Sequence, residues 1–447
     1  MNKRAKKTKV IATLGPASST KEIMLELVKA GADVFRINFS HADYELVKRN
    51  VDIIREINQE YGYNISILGD LQGPKLRVGV VKEGSFLNPG DVLTFTNEPC
   101  EGDSTKVFMT YEKFPQDVKV GERILIDDGK LVFEVIETNQ KDTVKAKTIQ
   151  GGPLSSKKGV NLPNTNVSLP ALTEKDIEDA KFMIENEFDW IALSFVRHAQ
   201  DIIDLKKLIE AHSDFKIPII AKIEKPEGVK NIDEILLECD GLMVARGDLG
   251  VEVPMEEVPV IQKKLVDKAR YYSKPVIIAT QMMETMISSL TPTRAEVNDV
   301  ANNVLDGADA VMLSGETSVG KYPVDVVKNI TKIIKNIEST NLYEKKNDII
   351  EKITCVDDRF VTDMVCLNAV KIAETTGAAA IITLTHSGYT AFQISAHRPT
   401  SRIIVYSSNR RVLTMLNLLW GVRAFYYDMN KSTDETVIQV NMLTHHY

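Results

Sequence analysis

The feature that most constrains the fold is a recurrence of short apolar, β-branched runs, each followed by a segment with helical periodicity. Eight such runs stand at residues 10–14, 34–39, 65–68, 190–194, 219–223, 242–245, 276–280 and 311–314. The alternation is typical of βα units, and eight parallel strands with their crossovers can close into a barrel. Residues 19–22 predict a helical capping box, and Thr173 and Thr293 stand where an N-cap hydroxyl belongs. We therefore expect an α/β protein built on a (β/α)8 TIM barrel.

The rhythm breaks once, between the third and fourth runs. There, hairpin signals replace helices: Asp128-Gly129 lies between two apolar runs, and further Pro-Gly and Gly-Gly pairs follow. This predicts a small all-β domain at 75–168, inserted at the active-site end and able to act as a lid. The barrel would then comprise 1–74 and 169–340. Three more strand-like runs alternate with helical segments beyond 345, which predicts a C-terminal α/β domain at 345–447.

Composition excludes several classes of protein. The 447 residues are 43% hydrophobic, and the net charge of −7 disfavours a nucleic-acid or membrane-surface partner, because both polyanions need a basic face. No apolar window is long enough for a membrane span, and the apolar stretch behind the basic N-terminus is too short for a signal peptide. The cysteines Cys100, Cys239, Cys355 and Cys366 form no Cys-x-x-Cys pair, which favours reduced thiols and a cytoplasmic location.

Polar residues occupy the ends of six of the eight predicted strands, where catalytic groups lie on this fold. The second strand offers Arg36, Asn38 and Ser40 at alternating positions, which predicts that all three share one face. The others are Asp70, Lys222, Glu224, Asp248 with Gly247, Thr280, and Ser314 in the segment 314–316. Glu224 and Asp248, from adjacent strands, could share one Mg²⁺, with the Lys222 ammonium beside it.

Each of these positions also has a simpler interpretation. A single charge at a strand end is more often a solvated loop residue, but inward charges on a barrel are costly unless they are paired or bind metal. Residues 247–250 could hold an anion at a helix start or form a tight glycine turn. Asp127-Asp128-Gly129 is turn chemistry before it is a metal site. Lys157 and Lys158 could reach a nucleotide phosphate or form a solvated basic loop, and His41 could line a nucleotide pocket or cap a helix.

Eight motifs give the chain a specific resemblance to the pyruvate kinase family along essentially its whole length. They lie at residues 12–16, 35–41, 70–77, 157–163, 221–224, 245–250, 279–282 and 313–317. The resemblance implies transfer of a phosphoryl group from phosphoenolpyruvate to ADP, followed by protonation of enolpyruvate to pyruvate, the last step of glycolysis. It also implies two Mg²⁺ per turnover, one of them brought with the nucleotide.

Family roles carry over residue by residue. Glu224 and Asp248 would hold Mg²⁺, while Lys222 and Arg36 would contact the transferring phosphoryl group, Lys222 also stabilising the enolate. Thr280 and the backbone at Gly247 and Asp248 would bind the substrate carboxylate. The remaining assignments are Arg77 reaching the active site on closure, Asn38, His41 and Lys157 toward the nucleotide, and Ser314 near the side of proton delivery, with no proton donor named.

The motif at 70–78 resembles a potassium-independent subgroup. Many family members hold K⁺ with the equivalents of Asn38, Ser40 and Asp70 and carry Glu where this chain has Lys75. Here Leu71, Gln72, Lys75 and Val78 match the subgroup in which the lysine ammonium takes the potassium position. A tethered charge can replace a bound cation, so we expect activity without K⁺.

The C-terminal domain carries a possible effector loop. Thr383, Thr385, Ser387, Gly388 and Thr390 resemble the loop that cradles an effector phosphate, a sugar phosphate or nucleotide, although Thr390 could equally be an ordinary helix cap. Family members usually continue beyond residue 447 by a helix end and about two strands, which predicts a truncated domain with an exposed sheet edge. A homotetramer is expected only if this domain is intact.

Two other functions use similar residues. A magnesium-dependent lyase acting on pyruvate enolates would also need paired Glu and Asp, but the inserted domain and the pair Arg36 and Lys222 favour a transferring phosphate. A catalytically silent scaffold would have lost one of Arg36, Lys222, Glu224 or Asp248, and all four are present.

Overall fold

Eight parallel strands form a closed barrel in this computed structural model, which describes residues 6–340, 342, 358–428 and 431–444. Each strand pairs with its neighbours in chain order, and the eighth pairs with the first. Every predicted strand lies within two residues of its observed limits. The observed strands are Lys9–Thr13, Val34–Asn38, Ser66–Asp70, Trp190–Leu193, Ile219–Ile223, Gly241–Ala245, Val276–Ala279 and Ala310–Leu313.

Helices surround the barrel in the expected order. Thr173 and Thr293 are helix N-caps, as predicted, and each also forms a capping box, with Asp176 and Glu296 respectively. The capping box predicted at 19–22 is wrong. Thr20 is the N-cap of the helix, and the Ser19 hydroxyl donates to the Gly15 carbonyl instead. The helices are Lys21–Ala30, Tyr44–Tyr61, Glu174–Glu185, Ala199–His212, Pro226–Lys230, Ile232–Glu238, Arg246–Glu252, Val258–Tyr271, Arg294–Asp306, Gly315–Ser318 and Pro323–Glu338, with 3-10 turns at Phe39–His41, Met255–Glu257 and Glu284–Ile287.

An aspartate precedes every second barrel strand and repeats one hydrogen-bond pattern. Its carboxylate accepts the N–H of a residue at the start of the preceding strand, and its own N–H donates to that residue's carbonyl. The carboxylate bonds run from Val10 to Asp33 (2.8 Å), Ile67 to Asp189 (2.7 Å), Ile219 to Asp240 (2.9 Å) and Val276 to Asp309 (2.9 Å). The barrel floor therefore has an approximate fourfold repeat that fixes the register of the strand pairs.

The insertion has a hydrophobic core of its own, separate from that of the barrel. Its six-stranded and two-stranded sheets surround that core, and the predicted Asp-Gly hairpin joins two of the strands. One turn of helix, Phe114–Asp117, departs from the all-β prediction. The strands are Phe86–Leu87, Val92–Thr96, Lys106–Phe108, Arg123–Ile126, Leu131–Thr138, Thr143–Gln150, Gly152–Pro153 and Val160–Asn161.

The C-terminal region is a three-stranded parallel sheet with flanking helices, as its sequence pattern predicted. The strands are Ala380–Leu384, Arg402–Ser407 and Val422–Tyr426; the helices are Phe360–Thr376, Tyr389–Ala396, Arg410–Met415 and Thr433–Thr444, with a 3-10 turn at Leu416–Leu418. Cys355 and the start of the predicted C-terminal domain at 345 lie outside the described residues.

The C-terminal region packs on the barrel floor, opposite the strand ends that carry the polar residues. Arg398 donates to both carboxylate oxygens of Asp309, at 2.8 and 2.7 Å, and Thr414 donates to Asp189 at 2.5 Å. Trp190, at the start of the fourth strand, donates its indole N–H to the Met415 carbonyl at 2.9 Å. In each of these three contacts the barrel residue is the first of a strand or directly precedes one. In the described part of the chain, no helix has the length and apolarity needed to cross a membrane.

Candidate active site

Four charged side chains meet at the C-terminal ends of the second, third and fifth barrel strands. Arg36 Nε donates to Asp70 Oδ2 at 2.6 Å, and Lys222 Nζ lies 3.0 Å from Asp70 Oδ1 and 3.0 Å from Glu224 Oε1. Asp70 and Glu224 are each only 1% exposed, so the cluster is almost excluded from water. Electrostatic interactions are strong in such an environment.

The Lys222 ammonium is held by three protein acceptors. In addition to the two carboxylates, its Nζ donates to Ser194 Oγ at 2.6 Å, and that hydroxyl donates to the Leu71 carbonyl at 2.7 Å. Only the contact with Ser194 has hydrogen-bond geometry; the two carboxylates hold the ammonium as ion pairs, and Asp70 Oδ1 is buried without a hydrogen-bond partner. Any oxyanion that binds Lys222 must replace one of these acceptors.

Burial and neighbouring charges set the protonation of this cluster. Burial opposes ionisation of Asp70, but the cations Lys222 and Arg36 outweigh it, so the pKa of Asp70 is lowered. Burial likewise opposes the charge on Lys222, yet Asp70 and Glu224 raise the pKa of Lys222 above its ordinary value. Burial raises the pKa of Glu224 to about 7; Lys222 opposes this shift, and the charge of Asp248 adds to it. Glu224 is therefore the carboxylate most in need of a second cation.

Asp248 and Gly247 lie in the first turn of the helix Arg246–Glu252, which begins directly after the sixth strand. The alternative of a tight glycine turn is therefore wrong. Gly247 N–H donates to Thr280 Oγ1 at 2.7 Å, and a Cβ on Gly247 would lie 3.2 Å from that same oxygen. The glycine lets the helix start approach the end of the seventh strand, where the Gly247 N–H is bonded to Thr280; the positive end of the helix favours an anion nearby.

Two side-chain-bearing residues with positive φ lie next to these groups. Thr280 has φ +68° and donates its hydroxyl to the Ala279 carbonyl at 2.6 Å, while Phe195 has φ +55° and donates its N–H to Glu224 Oε2 at 2.7 Å. Such conformations cost roughly 1–3 kcal/mol each and cluster at functional sites. Here the strained backbone aims one group at the carboxylate and another at the helix start.

Glu224 and Asp248 fit a divalent cation of the magnesium type. Burial and then the charge of Asp248 raise the pKa of Glu224, so a cation near the two carboxylates would favour the ionised form of Glu224. Within the residues that the structure describes, no group of three or more His, Cys, Asp or Glu side chains could hold a metal. Two carboxylates with open positions suit Mg²⁺, which keeps several ligands from water and substrate oxygens.

The predicted residues Arg77 and Lys157 of the insertion lie together. Arg77 Nη1 donates to the Lys157 carbonyl at 2.9 Å, and Arg77 forms an isolated bridge with Gly159. Lys158 pairs with Asp127 at 3.0 Å, in the turn whose residues have positive φ. This turn chemistry accounts for the Asp127-Asp128-Gly129 segment.

The residues of the potassium-type position are only partly brought together. Asn38 is exposed at the end of the second strand, and its Oδ1 accepts the N–H of Ser40 at 3.1 Å. The prediction that Ser40 shares a strand face with Arg36 is wrong, because the strand ends at Asn38 and Ser40 lies in a 3-10 turn. Asp70 is occupied by Arg36 and Lys222, while Lys75 is exposed. The side chain of His41 lies outside the described residues.

The predicted effector loop forms a compact hydroxyl cluster in the C-terminal region. Thr383 Oγ1 and Thr390 Oγ1 lie 2.9 Å apart, and Gly388 N–H donates to Thr385 Oγ1 at 2.9 Å. Gly388, with φ +89°, is the N-cap of the helix Tyr389–Ala396, so the alternative that Thr390 caps this helix is wrong. Ser387 is exposed beside them.

Sequence reasoning missed three groups at the barrel mouth. Ser194 was visible as a polar residue at the end of the fourth strand, and Thr13, which accepts from Arg36 Nη1 at 3.1 Å, ends the first. Both follow the strand-end rule already applied to the other strands. Phe195 left no signal, because its role lies in a backbone conformation that its side chain does not favour.

Comparisons with known proteins agree with this arrangement. The family model "Pyruvate kinase, barrel domain" matches residues 5–327, and "Pyruvate kinase, alpha/beta domain" matches residues 363–446. Pyruvate kinase 2 of Synechocystis sp. is 44% identical over 436 residues, covering 96% of this chain and 72% of that protein. The pyruvate kinase of Mycobacterium intracellulare is 42% identical, covering 98% of this chain and 91% of that protein.

A solved structure extends the likeness to three dimensions. The crystal structure of a pyruvate kinase from Cryptosporidium parvum superimposes with a TM-score of 0.92 at 34% identity, covering 98% of this chain and 90% of that one. The matches span both the barrel with its charged mouth and the C-terminal sheet. The chain therefore belongs to the pyruvate kinase family of glycolytic phosphotransferases.

Proposed function

We propose that this chain transfers the phosphoryl group of phosphoenolpyruvate to ADP and then releases pyruvate. The observation that carries the proposal is the buried cluster of Arg36, Asp70, Lys222 and Glu224, in which two cations lie beside a carboxylate that needs a metal. Phosphoryl transfer depends mainly on positioning and on stabilising negative charge, and this cluster supplies both.

Glu224 and Asp248 are the proposed Mg²⁺ ligands, and the nucleotide would be bound together with a second Mg²⁺. The bound metal supplies positive charge to the substrate oxygens. Lys222 and Arg36 bind the transferring phosphoryl group, and Lys222 stabilises the negative oxygen of the enolate left behind. Thr280 and the N–H groups at Gly247 and Asp248 orient the substrate carboxylate at the positive end of a helix. We name no proton donor for enolpyruvate; Ser314 stands on the proposed side of delivery.

The insertion is proposed to act as a lid over the nucleotide. Its limits of 75–168 separate it from a barrel of 1–74 and 169–340, and a C-terminal domain of 345–447 follows. On closure Arg77 and Lys157 reach the phosphates from the lid, while Asn38 and His41 line the nucleotide site from the barrel. The hydrogen bond from Arg77 to the Lys157 carbonyl supports the proposal that these two cations act on the same phosphates.

We propose that K⁺ is not required. Asp70 already has two cationic partners, Arg36 and Lys222, and Lys75 is exposed. The proposal is that the Lys75 ammonium takes the potassium position beside Asn38 and Ser40. Activity in Tris or sodium salts should equal activity in potassium within about twofold, since a tethered ammonium replaces the ion. Lys75→Glu should create a potassium requirement. A parent enzyme that is strongly activated by K⁺ would refute this proposal.

Regulation and assembly are proposed from the C-terminal region. The hydroxyl cluster around Gly388 is suited to a phosphorylated effector, a sugar phosphate or a nucleotide, because hydroxyl and N–H donors converge there. We further propose a cytoplasmic homotetramer.

A coupled assay for pyruvate tests the reaction directly. The parent should form ATP and pyruvate from phosphoenolpyruvate and ADP, and Lys222→Met should lose roughly 10²–10³-fold in kcat, the typical loss when a charge-stabilising group is removed. Lys145→Met, at an exposed ion pair of the insertion, is the matched control and should retain parent activity. Near-parent turnover by Lys222→Met would show that the assigned mechanism is wrong.

A further inference from the structure

A buried carboxylate outside the assigned site connects the barrel mouth to the insertion. Glu252 Oε1 accepts from Lys225 Nζ at 2.9 Å and from Asn161 Nδ2 at 2.9 Å. The Glu252 side chain is 1% exposed, and its other oxygen, Oε2, is buried without a hydrogen-bond partner. Both hydrogen bonds to this carboxylate therefore fall on one oxygen, one from a barrel residue and one from a residue of the insertion.

The two barrel partners belong to the segments that carry the proposed metal ligands. Lys225 directly follows Glu224, and Glu252 ends the seven-residue helix whose first turn contains Asp248. An ion pair between Lys225 and Glu252 fixes the end of the fifth strand against that helix. It therefore sets the separation of the Glu224 and Asp248 carboxylates, which must be constant for a metal site to be strong.

The third partner, Asn161, makes the Lys225–Glu252 ion pair sensitive to the position of the insertion. Asn161 lies in the strand Val160–Asn161, which pairs with Arg123–Ile126 in the six-stranded sheet. If the insertion rotates away, the Asn161 amide leaves Glu252 Oε1, and a buried carboxylate loses half of its hydrogen bonds. Buried charges are costly when they lose a partner, so the Lys225–Glu252 arrangement is less stable when the insertion is displaced.

From this geometry we infer that Glu252 is a positioning residue that couples the insertion to the metal site. The inference rests on the proposed function for its assignment of Glu224 and Asp248 as metal ligands. Under this inference, divalent-cation affinity depends on the Lys225–Glu252–Asn161 contacts, although none of these three side chains is a proposed metal ligand. It also implies that cation binding stabilises the insertion in the position seen here, because coupling between two sites is reciprocal.

Mn²⁺ binding to the substrate-free protein tests the inference without requiring turnover. Free Mn²⁺ is measured by electron paramagnetic resonance during titration of the parent, Glu252→Gln, Asn161→Ala and the double variant K225M/E252M. We expect about tenfold weaker Mn²⁺ binding for Glu252→Gln and a smaller loss, about threefold, for Asn161→Ala, in keeping with the effect of outer contacts on metal affinity. The double variant removes both charges together, so it avoids leaving one buried charge alone and keeps the test available if Glu252→Gln does not fold.

Hydrogen–deuterium exchange provides the second measurement. Addition of Mn²⁺ should slow exchange in residues 157–163 of the parent, and Asn161→Ala should abolish that slowing. Lys268→Met, which removes an exposed ion pair with Asp233 elsewhere on the barrel, should match the parent in both measurements. Mn²⁺ affinities within twofold of the parent in the folded Glu252 variants, or unchanged protection in Asn161→Ala, would overturn the inference. Failure of the parent to make pyruvate while these binding effects persist would instead refute the proposed reaction.

Discussion

At the scale of single residues, the resting site is a closed set of charge contacts. Lys222 holds Asp70, Glu224 and Ser194, and the pKa of Glu224 is raised to about 7 by burial. Ser194 is the neutral acceptor of the three, so it is the partner that Lys222 can give up at least electrostatic cost when an oxyanion binds. In the proposed site, Glu224 would bind the metal in its ionised form, so the metal would compete with the proton that burial favours there.

This competition predicts a pH-dependent metal affinity. Metal binds the ionised Glu224, so Mn²⁺ affinity should fall by up to tenfold per pH unit below about pH 7 and level off above about pH 8. The metal-free protein should become less stable as pH rises from 4.5 to about 7, because the folded state holds the Glu224 proton more tightly than the unfolded chain does. Mn²⁺ titrations between pH 5.5 and 8.5 measure the first effect, and Glu224→Gln should remove the pH dependence. A constant affinity in the parent across this range would contradict the assignment.

At the scale of secondary-structure elements, the helix Arg246–Glu252 connects most of the site. Its first turn presents Gly247 and Asp248, and its last residue is Glu252. The sequence predicted the strand before it and the polar residues at its start, because both follow from periodicity and from the strand-end rule. It did not predict that residues 247–250 are helical, since glycine twice in four residues favours a turn when intrinsic propensity alone is considered. The hydrogen bond from the Gly247 N–H to Thr280 favours the helical conformation, and it joins residues 33 positions apart.

Two glycines of this helix provide a matched pair of substitutions. Gly247→Ala would place a Cβ 3.2 Å from Thr280 Oγ1, whereas Gly250→Ala would meet only Val258 Cγ2 at 3.6 Å. Both variants should gain helix stability, up to about 1 kcal/mol. We expect kcat/KM for phosphoenolpyruvate to fall about tenfold only in Gly247→Ala, since a misplaced anchor weakens substrate orientation. Steady-state kinetics with thermal unfolding separate the two effects; equal activity in both variants would contradict the role of Thr280.

At the scale of the whole molecule, the barrel uses its two ends differently. The mouth carries the buried charged cluster, and the floor holds the C-terminal region through Asp309 with Arg398 and Asp189 with Thr414. The barrel, its insertion point and the C-terminal sheet could all be predicted from the order of strand-like and helical runs. The docking could not, because it depends on side chains that local periodicity does not relate to one another.

The floor contacts predict a stability difference between two aspartates with the same local role. Asp309→Asn and Asp240→Asn both keep an oxygen for the backbone N–H of the preceding strand. Only the first removes the charge facing the buried Arg398, so it should lower the free energy of unfolding by about 3–5 kcal/mol, while Asp240→Asn should change it by less than about 1 kcal/mol. Urea unfolding of both variants measures the difference. Similar losses in the two would contradict a specific docking role for Asp309.

The recurring aspartates of the floor have a further consequence for how this enzyme can change. Each one pins a pair of strands at the end remote from the chemistry, so the alignment of the sheet does not depend on which side chains occupy the rim. Rim loops can therefore lengthen, carry an inserted unit such as the one between the third and fourth strands, or exchange their ligands without shifting the barrel strands. The residues at one end of the eight strands can therefore change with the reaction, while those at the other end keep the barrel aligned.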